Sequence, residues 1–323
     1  MNFSFDWMAV AFLAPAFWAL VNIADVYFVG GVYQDELDGI IISSLFQILP
    51  WAVLPFFIEL KMAEMPMLII AQAFDKTVLI AVLGGVFFTI SYYCYFRALF
   101  RYHNDASLIQ ILWTLYVIVT PIFSFFIEGK VLSMMKYVGM GVVLLGATML
   151  SVEPNLKERL SRGILLTTLG AAISWALSIV LQSVAFDSFA ATHGENAFWV
   201  GIFYLNIGAC LAGVAIMIVS RRNPLPLIRR YYHIFIGVEL VCFLGTLFYE
   251  KAIAMSSSPS LVSATGTFMP AFVLIYSALI VGFCKLLKIN NEMASNIYND
   301  QLTGKWIKIT ATGVMAVGVY MIR

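Results

Sequence analysis

Charge is scarce in this chain: 11% of its 323 residues are Asp, Glu, Lys or Arg, whereas 62% are apolar. A soluble domain carries about 25% charged residues, so this composition excludes one and makes a bilayer the solvent for most side chains. Histidine and cysteine are sparse as well. His103, His193 and His233 are dispersed, and Cys94, Cys210, Cys242 and Cys284 show no CxxC or Cys/His spacing. That pattern argues against a thiolate metal centre and leaves the cysteines as packing thiols in or beside apolar runs. HExxH, GxSxG and P-loop patterns are missing too, so no cofactor is expected and an intramembrane enzyme is disfavoured. Without a nucleotide site, uphill transport would have to draw on a gradient. The first six residues hold no Lys or Arg, and no small-residue cleavage site follows the first apolar run, so that run is expected to be retained.

What the chain does have is apolar sequence in long runs, with a mean hydropathy of +0.91. A helix of about 20 residues, rising about 1.5 Å per residue, crosses a hydrocarbon core of about 30 Å. Ten such runs are predicted, at 7–29, 39–60, 77–98, 106–127, 135–152, 164–185, 197–220, 234–254, 260–282 and 306–322. Ile40 to Phe57 and Ile164 to Leu181 are apolar nearly all round rather than alternating, which excludes barrel strands. The expected fold is therefore all-α and integral to the membrane, with ten transmembrane helices.

The runs also repeat. An offset of 153 residues sets Ser107, Leu108, Thr114 and Gly129 on Ser260, Leu261, Thr267 and Gly282. Near the front the offset is 157, with Trp18, Ala19 and Leu20 on Trp175, Ala176 and Leu177. At the last run it is 172, with Gly141 and Gly146 on Gly313 and Gly318, so the second copy holds 172 minus 153, or 19, extra residues near 285–303. The copies are residues 1–152 and 153–323, each with five runs. Five is odd, so the second copy enters the membrane from the opposite side and the repeats are inverted. In secondary transporters this arrangement places a substrate site between the halves, opened alternately to each side.

Some segments stand out as motifs: Trp-Ala-Leu at 18–20 and 175–177, Tyr-Phe-Arg-Ala-Leu at 95–99 followed by Ala106-Ser107-Leu108, Glu128-Gly129-Lys130, and the Gly-rich run closing each copy. In combination they resemble the drug/metabolite transporter superfamily, and within it the EamA-type repeat. The resemblance implies ten helices in two inverted five-helix repeats, transport of a small metabolite, and a dimer or half-to-half contact through spans five and ten. Two departures stand out. The family's proline early in the fourth span is kept as Pro270 but is Val117 in the first copy, and its Gly-Glu ending appears here as Glu128-Gly129, with Phe283 after Gly282.

An ionisable side chain inside a span costs about 2.5–3.5 kcal/mol on insertion scales, so each needs a partner, a wet cavity or a role. Asp25 follows Trp18 by seven residues with Asn22 between, which puts all three on one helix face. Gln182 is its counterpart after Trp175. Counting traverses puts Asp25, Glu239 and Arg97 toward one side, where they would form an ion-paired gate, or where the two acids would take up protons. Glu250 and Lys251 read instead as a local surface ion pair. Tyr92, Gln110, Trp113, Ser178, Ser263 and Thr267 complete the candidate lining, among further aromatics. Aromatic faces attract organic cations by about 0.5–2 kcal/mol, while a phosphate would want basic forks that the spans lack. The expected solute is thus cationic, zwitterionic or neutral and amphipathic.

The expected function is secondary transport with alternating access, with proton coupling the first choice of driving force. A flippase for a lipid or lipid-linked sugar and a non-transporting scaffold are the alternatives. Partners would be the solute, membrane lipids and, through the Gly-rich spans, a second copy as a homodimer; no nucleic acid is expected. The protein would be multi-pass in a plasma or inner membrane with both termini on one side. The positive-inside rule favours the outside, with 13 Lys/Arg against 6 in the loops of the two sides, whereas the resemblance implies the inside.

Overall fold

The computed structural model describes residues 6–52, 75–101, 109, 112–151, 162–256, 258–287 and 305–322. Among them there are helices and no strands. They are α1 (Trp7–Gly31), α2 (Glu36–Phe46), α3 (Lys76–Arg101), α4 (Tyr116–Glu128), α5 (Met134–Ser151), α6 (Arg162–His193), α7 (Ala197–Ser220), α8 (Leu225–Ser256), α9 (Pro259–Gly266), α10 (Met269–Leu287) and α11 (Lys305–Ile322). Six stretches are long and apolar enough to cross a membrane: α1, α3, α6, α7, α8 and the stretch Pro259–Leu286 that includes α9. Tyr116–Glu128, Met134–Met149 and Ile309–Ile322 are shorter apolar helices. The chain is a multi-pass, all-helical membrane protein.

Local chemistry sets several ends. Asp35 caps α2, its Oδ1 accepting from the amides of Leu37 and Asp38, while Asp38 Oδ2 accepts from the Gln34 amide. Gly129 stops α4 at φ 68°, a left-handed turn in which its amide and that of Lys130 close onto Phe125 and Ser124. α8 begins earlier than the run at 234 predicts because one turn precedes a kink at Tyr231, whose φ and ψ are −122° and 15°.

Helices of residues 1–152 and 153–323 interleave. α3 packs on α6 and α7, and α8 packs on α1; α4 lies on α6 as α9 and α10 lie on α1; α5 pairs with α11 and α2 with α7. Small residues permit the closest of these contacts. A Cβ on Gly85 would overlap the Leu205 carbonyl oxygen, and one on Gly208 that of Val82, so α3 and α7 meet backbone to backbone. Gly139, Gly146 and Gly318 serve the same purpose between α5 and α11, whereas Gly141 and Gly313 face open space. Large apolar residues such as Leu79, Leu83, Ile118, Ile122, Phe126 and Leu279 point outward, as the hydrocarbon of a bilayer requires.

Candidate functional site

Two helices break at corresponding places. After the turn at Thr114–Leu115, α4 starts at Tyr116; after the turn at Thr267–Phe268, α10 starts at Met269. The hydrogen bonds across these breaks match in register: Leu115 N to Leu112 O at 3.3 Å and Phe268 N to Thr265 O at 3.1 Å. Val119 N to Leu115 O and Phe272 N to Phe268 O, both 3.2 Å, repeat the same spacing of 153 (272 minus 119). Pro270, with no amide hydrogen, sits in the first turn of α10, where no donor is needed. Val117 occupies that place in α4 and donates to Thr114 O at 3.0 Å.

A cavity of about 50 Å³ lies against both breaks. From α1 come Trp18, Val21, Asn22 and Asp25; from α3, Tyr92 and Tyr95; from α6, Trp175; and from the breaks Trp113, Thr114, Tyr116, Gly266, Met269 and Pro270. The α1 residues are spaced i, i+3, i+4 and i+7, one helical face. Trp18 and Trp175 meet edge to face with centroids 5.5 Å apart. Trp113 contacts Tyr95 at 4.8 Å, Tyr92 at 5.9 Å and Trp175 at 5.9 Å. This volume holds a few waters and falls below the roughly 300–1,000 Å³ of small-molecule sites.

Polar contacts divide the sequence candidates. Asn22 donates to the Tyr95 hydroxyl at 2.8 Å beside Asp25. Asp25 is 5% exposed and, among the described residues, makes no hydrogen bond and no ion pair. Glu239 lies behind the wall: its Oε1 accepts from Ser43 Oγ at 2.5 Å, and its buried Oε2 has no partner among the described residues.

Several expectations change. Arg97 makes no gate pair with Asp25 or Glu239; its guanidinium donates to Tyr93 at 3.1 Å, because both lie off the face that carries Tyr92, Tyr95 and Phe96 inward. Ser178 and Gln182 do not line the cavity. They donate to the carbonyls of Gly84 at 2.8 Å and Ala81 at 2.9 Å, pinning α6 to α3. Gly84 leaves the room for Gln182. The hydroxyls of Ser263 and Thr267 are taken by Ser260 O and Ala264 O, each at 2.7 Å, so these residues shape the broken helix. Gln110 lies outside the described residues. Glu250 is buried at 3% exposure instead of pairing with Lys251, whose ammonium lies 4.8 Å from the Phe198 ring centroid.

Tyr95 and Ser43 are residues that sequence reasoning missed. Tyr95 was legible as the i+3 neighbour of Tyr92, but no pattern in the sequence singles out Ser43.

Two polar clusters join residues 1–152 to residues 153–323. On one, Arg222 after α7 pairs with Asp35 before α2. On the other, Glu128 Oε1 accepts from Lys130 Nζ and Ser183 Oγ, both at 2.7 Å, and Lys130 reaches Asp187 at 3.2 Å. Partial burial alone would pull the Lys130 ammonium down, but hydrogen bonding and charge from Glu128, with Asp187, hold it above the ordinary lysine value.

No protein family model and no curated protein matches the chain. A solved structure described only as "Crystal structure of protein" is similar in fold, with a TM-score of 0.58 over 98% of this chain and 96% of that one. The two share 15% identity, so the likeness is one of fold alone.

Proposed function

We propose that this protein is a secondary transporter of a small organic solute, related to the drug/metabolite transporter superfamily, in which two inverted five-helix repeats rock about the central cavity. The observation that carries this reading is the pair of helix breaks in register, 153 residues apart, both facing one aromatic cavity. Discontinuous helices at the interface of inverted repeats are how secondary transporters expose backbone to a substrate. The interleaved packing and the meeting of Trp18 with its counterpart Trp175 support a twofold relation between the copies. The small cavity and the polar clusters fit a form closed to both sides.

The direct test is counterflow in proteoliposomes loaded with a panel of amines, amino acids and nucleosides. Accumulation of one labelled solute, lost in Asp25→Asn, is expected. Equal uptake by empty and protein-bearing liposomes across the panel would leave a non-transporting scaffold.

A specific feature supports the flippase as a second reading. A lateral groove of about 440 Å³ between α4 and α5, lined by residues including Pro121, Phe125, Tyr137, Met140 and Leu144, is wholly apolar apart from the Tyr137 hydroxyl. Fluorescent-lipid translocation in the same liposomes separates the two: lipid movement without solute counterflow would favour the flippase.

A further inference from the structure

We propose that Asp25 is an exchange site for organic ammonium ions: a monovalent cation enters the aromatic cage and replaces the proton on the Asp25 carboxyl, while Glu239 stays protonated behind the wall. The inference rests on the transporter reading and narrows it to a substrate class and a counter-ion.

Charge counting carries the argument. Asp25 and Glu239 are buried, at 5% and 7% exposure. Three basic groups of the fold are engaged elsewhere: Arg97 with Tyr93, Arg222 with Asp35, and Lys130 with Glu128 and Asp187. Net charge within a span is costly, so the pair is accommodated when uncharged. Two protons achieve this; so do one proton and one monocation. In the exchange, the O–H bond of the protonated Asp25 carboxyl breaks and its electron pair stays on the carboxylate oxygen. The arriving ammonium ion forms an ion pair with that carboxylate, and the proton leaves to water. One positive charge enters as one departs, so the charge at the site is conserved.

Geometry assigns the roles. Asp25 lines the cavity, and Glu239 does not. Rings of Trp18, Tyr92, Tyr95, Trp113, Tyr116 and Trp175 surround the same space, and their negative faces are the usual recognition surface for quaternary ammonium groups. Among the described residues, the titratable groups around Asp25 are acidic or neutral: Tyr92 and Tyr95 of α3 and Tyr116 of α4 on the cavity wall, with Glu239 and Cys242 of α8 and Tyr33 after α1 nearby. Tyr92 meets Cys242 Sγ at 3.8 Å, and Tyr95 accepts from Asn22 at 2.8 Å. The cavity-lining residues of α9 and α10, Gly266, Met269 and Pro270, do not titrate. A primary amine or a quaternary ammonium fits this wall; a phosphate ester does not.

The test uses the full chain in detergent and three fixed-charge probes: tetramethylammonium, choline and phenyltrimethylammonium. The neutral isostere of choline, 3,3-dimethyl-1-butanol, is the control. Calorimetry in weak buffer is expected to show about one proton released per cation bound, and affinity rising about tenfold per pH unit while Asp25 holds its proton. The alcohol should release none. Asp25→Asn is expected to abolish proton release and weaken the cation at least tenfold. Glu239→Gln, which keeps the neutral hydrogen-bonding form, should preserve binding and release.

Should Asp25→Asn fail to fold, as judged by its thermal melt, Trp113→Leu serves: a tenfold loss for phenyltrimethylammonium with little change for the alcohol. pH-independent cation affinity, release retained in Asp25→Asn, or release lost in Glu239→Gln would each overturn the assignment. Counterflow of a neutral solute with no ammonium binding sinks the exchange site and leaves the transporter. Proton-releasing ammonium binding without flux of any solute sinks the transporter and leaves the site.

Discussion

At the scale of single residues, the structure separates side chains that face the cavity from those that only hold its walls. Gln182 looks like a site residue in the sequence as the counterpart of Asp25, and Ser178 as a hydroxyl in the same span, yet both donate to α3 carbonyls. Removing one partner of a buried hydrogen bond costs about 1–3 kcal/mol. Ser178→Ala is therefore expected to lower the melting temperature while leaving solute affinity within about twofold, read by a thermal shift with and without ligand. Gly266 makes a sharper case. A Cβ there would collide with the Tyr116 hydroxyl, which donates to Ser263 O at 3.1 Å. Gly266→Ala should destabilise by about 1–3 kcal/mol, the usual cost of overpacking. Adding Tyr116→Phe, which removes the colliding oxygen, should recover part of that loss, and a double-mutant cycle measures the coupling.

At the scale of elements, most helices fall where apolar periodicity places them, and the departures have physical causes. The run predicted at 260–282 contains a break, because Gly266 and Pro270 weaken the backbone ladder there and the side chain of Thr267 bonds back to Ala264. The matching break at Thr114 was not legible: Val117 carries no helix-breaking signal, and only its counterpart in the repeat points to it. Polar side chains cap a few helix starts, Asp35 at α2 among them. Asp75 opens α3, its Oδ1 accepting from the Thr77 amide at 2.6 Å. That backbone hydrogen bond first, then the Thr77 side chain, holds the carboxyl below its ordinary 3.8. A depressed folded-state value means that the stabilisation is present above that pH and fades as pH falls through the folded value. Asp75→Ala should melt lower than wild type at pH 6, with the gap narrowing below pH 4 in a pH series of melts.

For the whole molecule, the two polar clusters that bridge the copies are the natural places to ask whether the halves move. Cysteine pairs at Asp35/Arg222 or at Lys130/Asp187, built on a background lacking Cys94, Cys210, Cys242 and Cys284, would clamp one cluster at a time. In a carrier either crosslink should reduce flux to under about a tenth, with reductant restoring it, since alternating access needs both sides to open in turn. Flux unchanged by both clamps would count against rocking of the halves. The Gly-rich helices bear on the same scale. Gly139, Gly146 and Gly318 are used within the chain between α5 and α11, so a second copy would have to meet the outer faces that carry Gly141 and Gly313.

The sequence by itself determined the solvent, the all-helical class and the placement of Trp18, Asn22 and Asp25 on one face. Each of these follows from composition or from a fixed helical period, which need no partner to be read. Only tertiary structure decided which polar groups face the cavity, that Tyr95 and Ser43 join Asn22 and Glu239, that Arg97 turns away, and that Glu250 is buried. Those outcomes depend on the rotation of each helix about its axis and on which neighbour it meets. In a span that is apolar all round, no amphipathic stripe announces that rotation; close packing of helix against helix sets it.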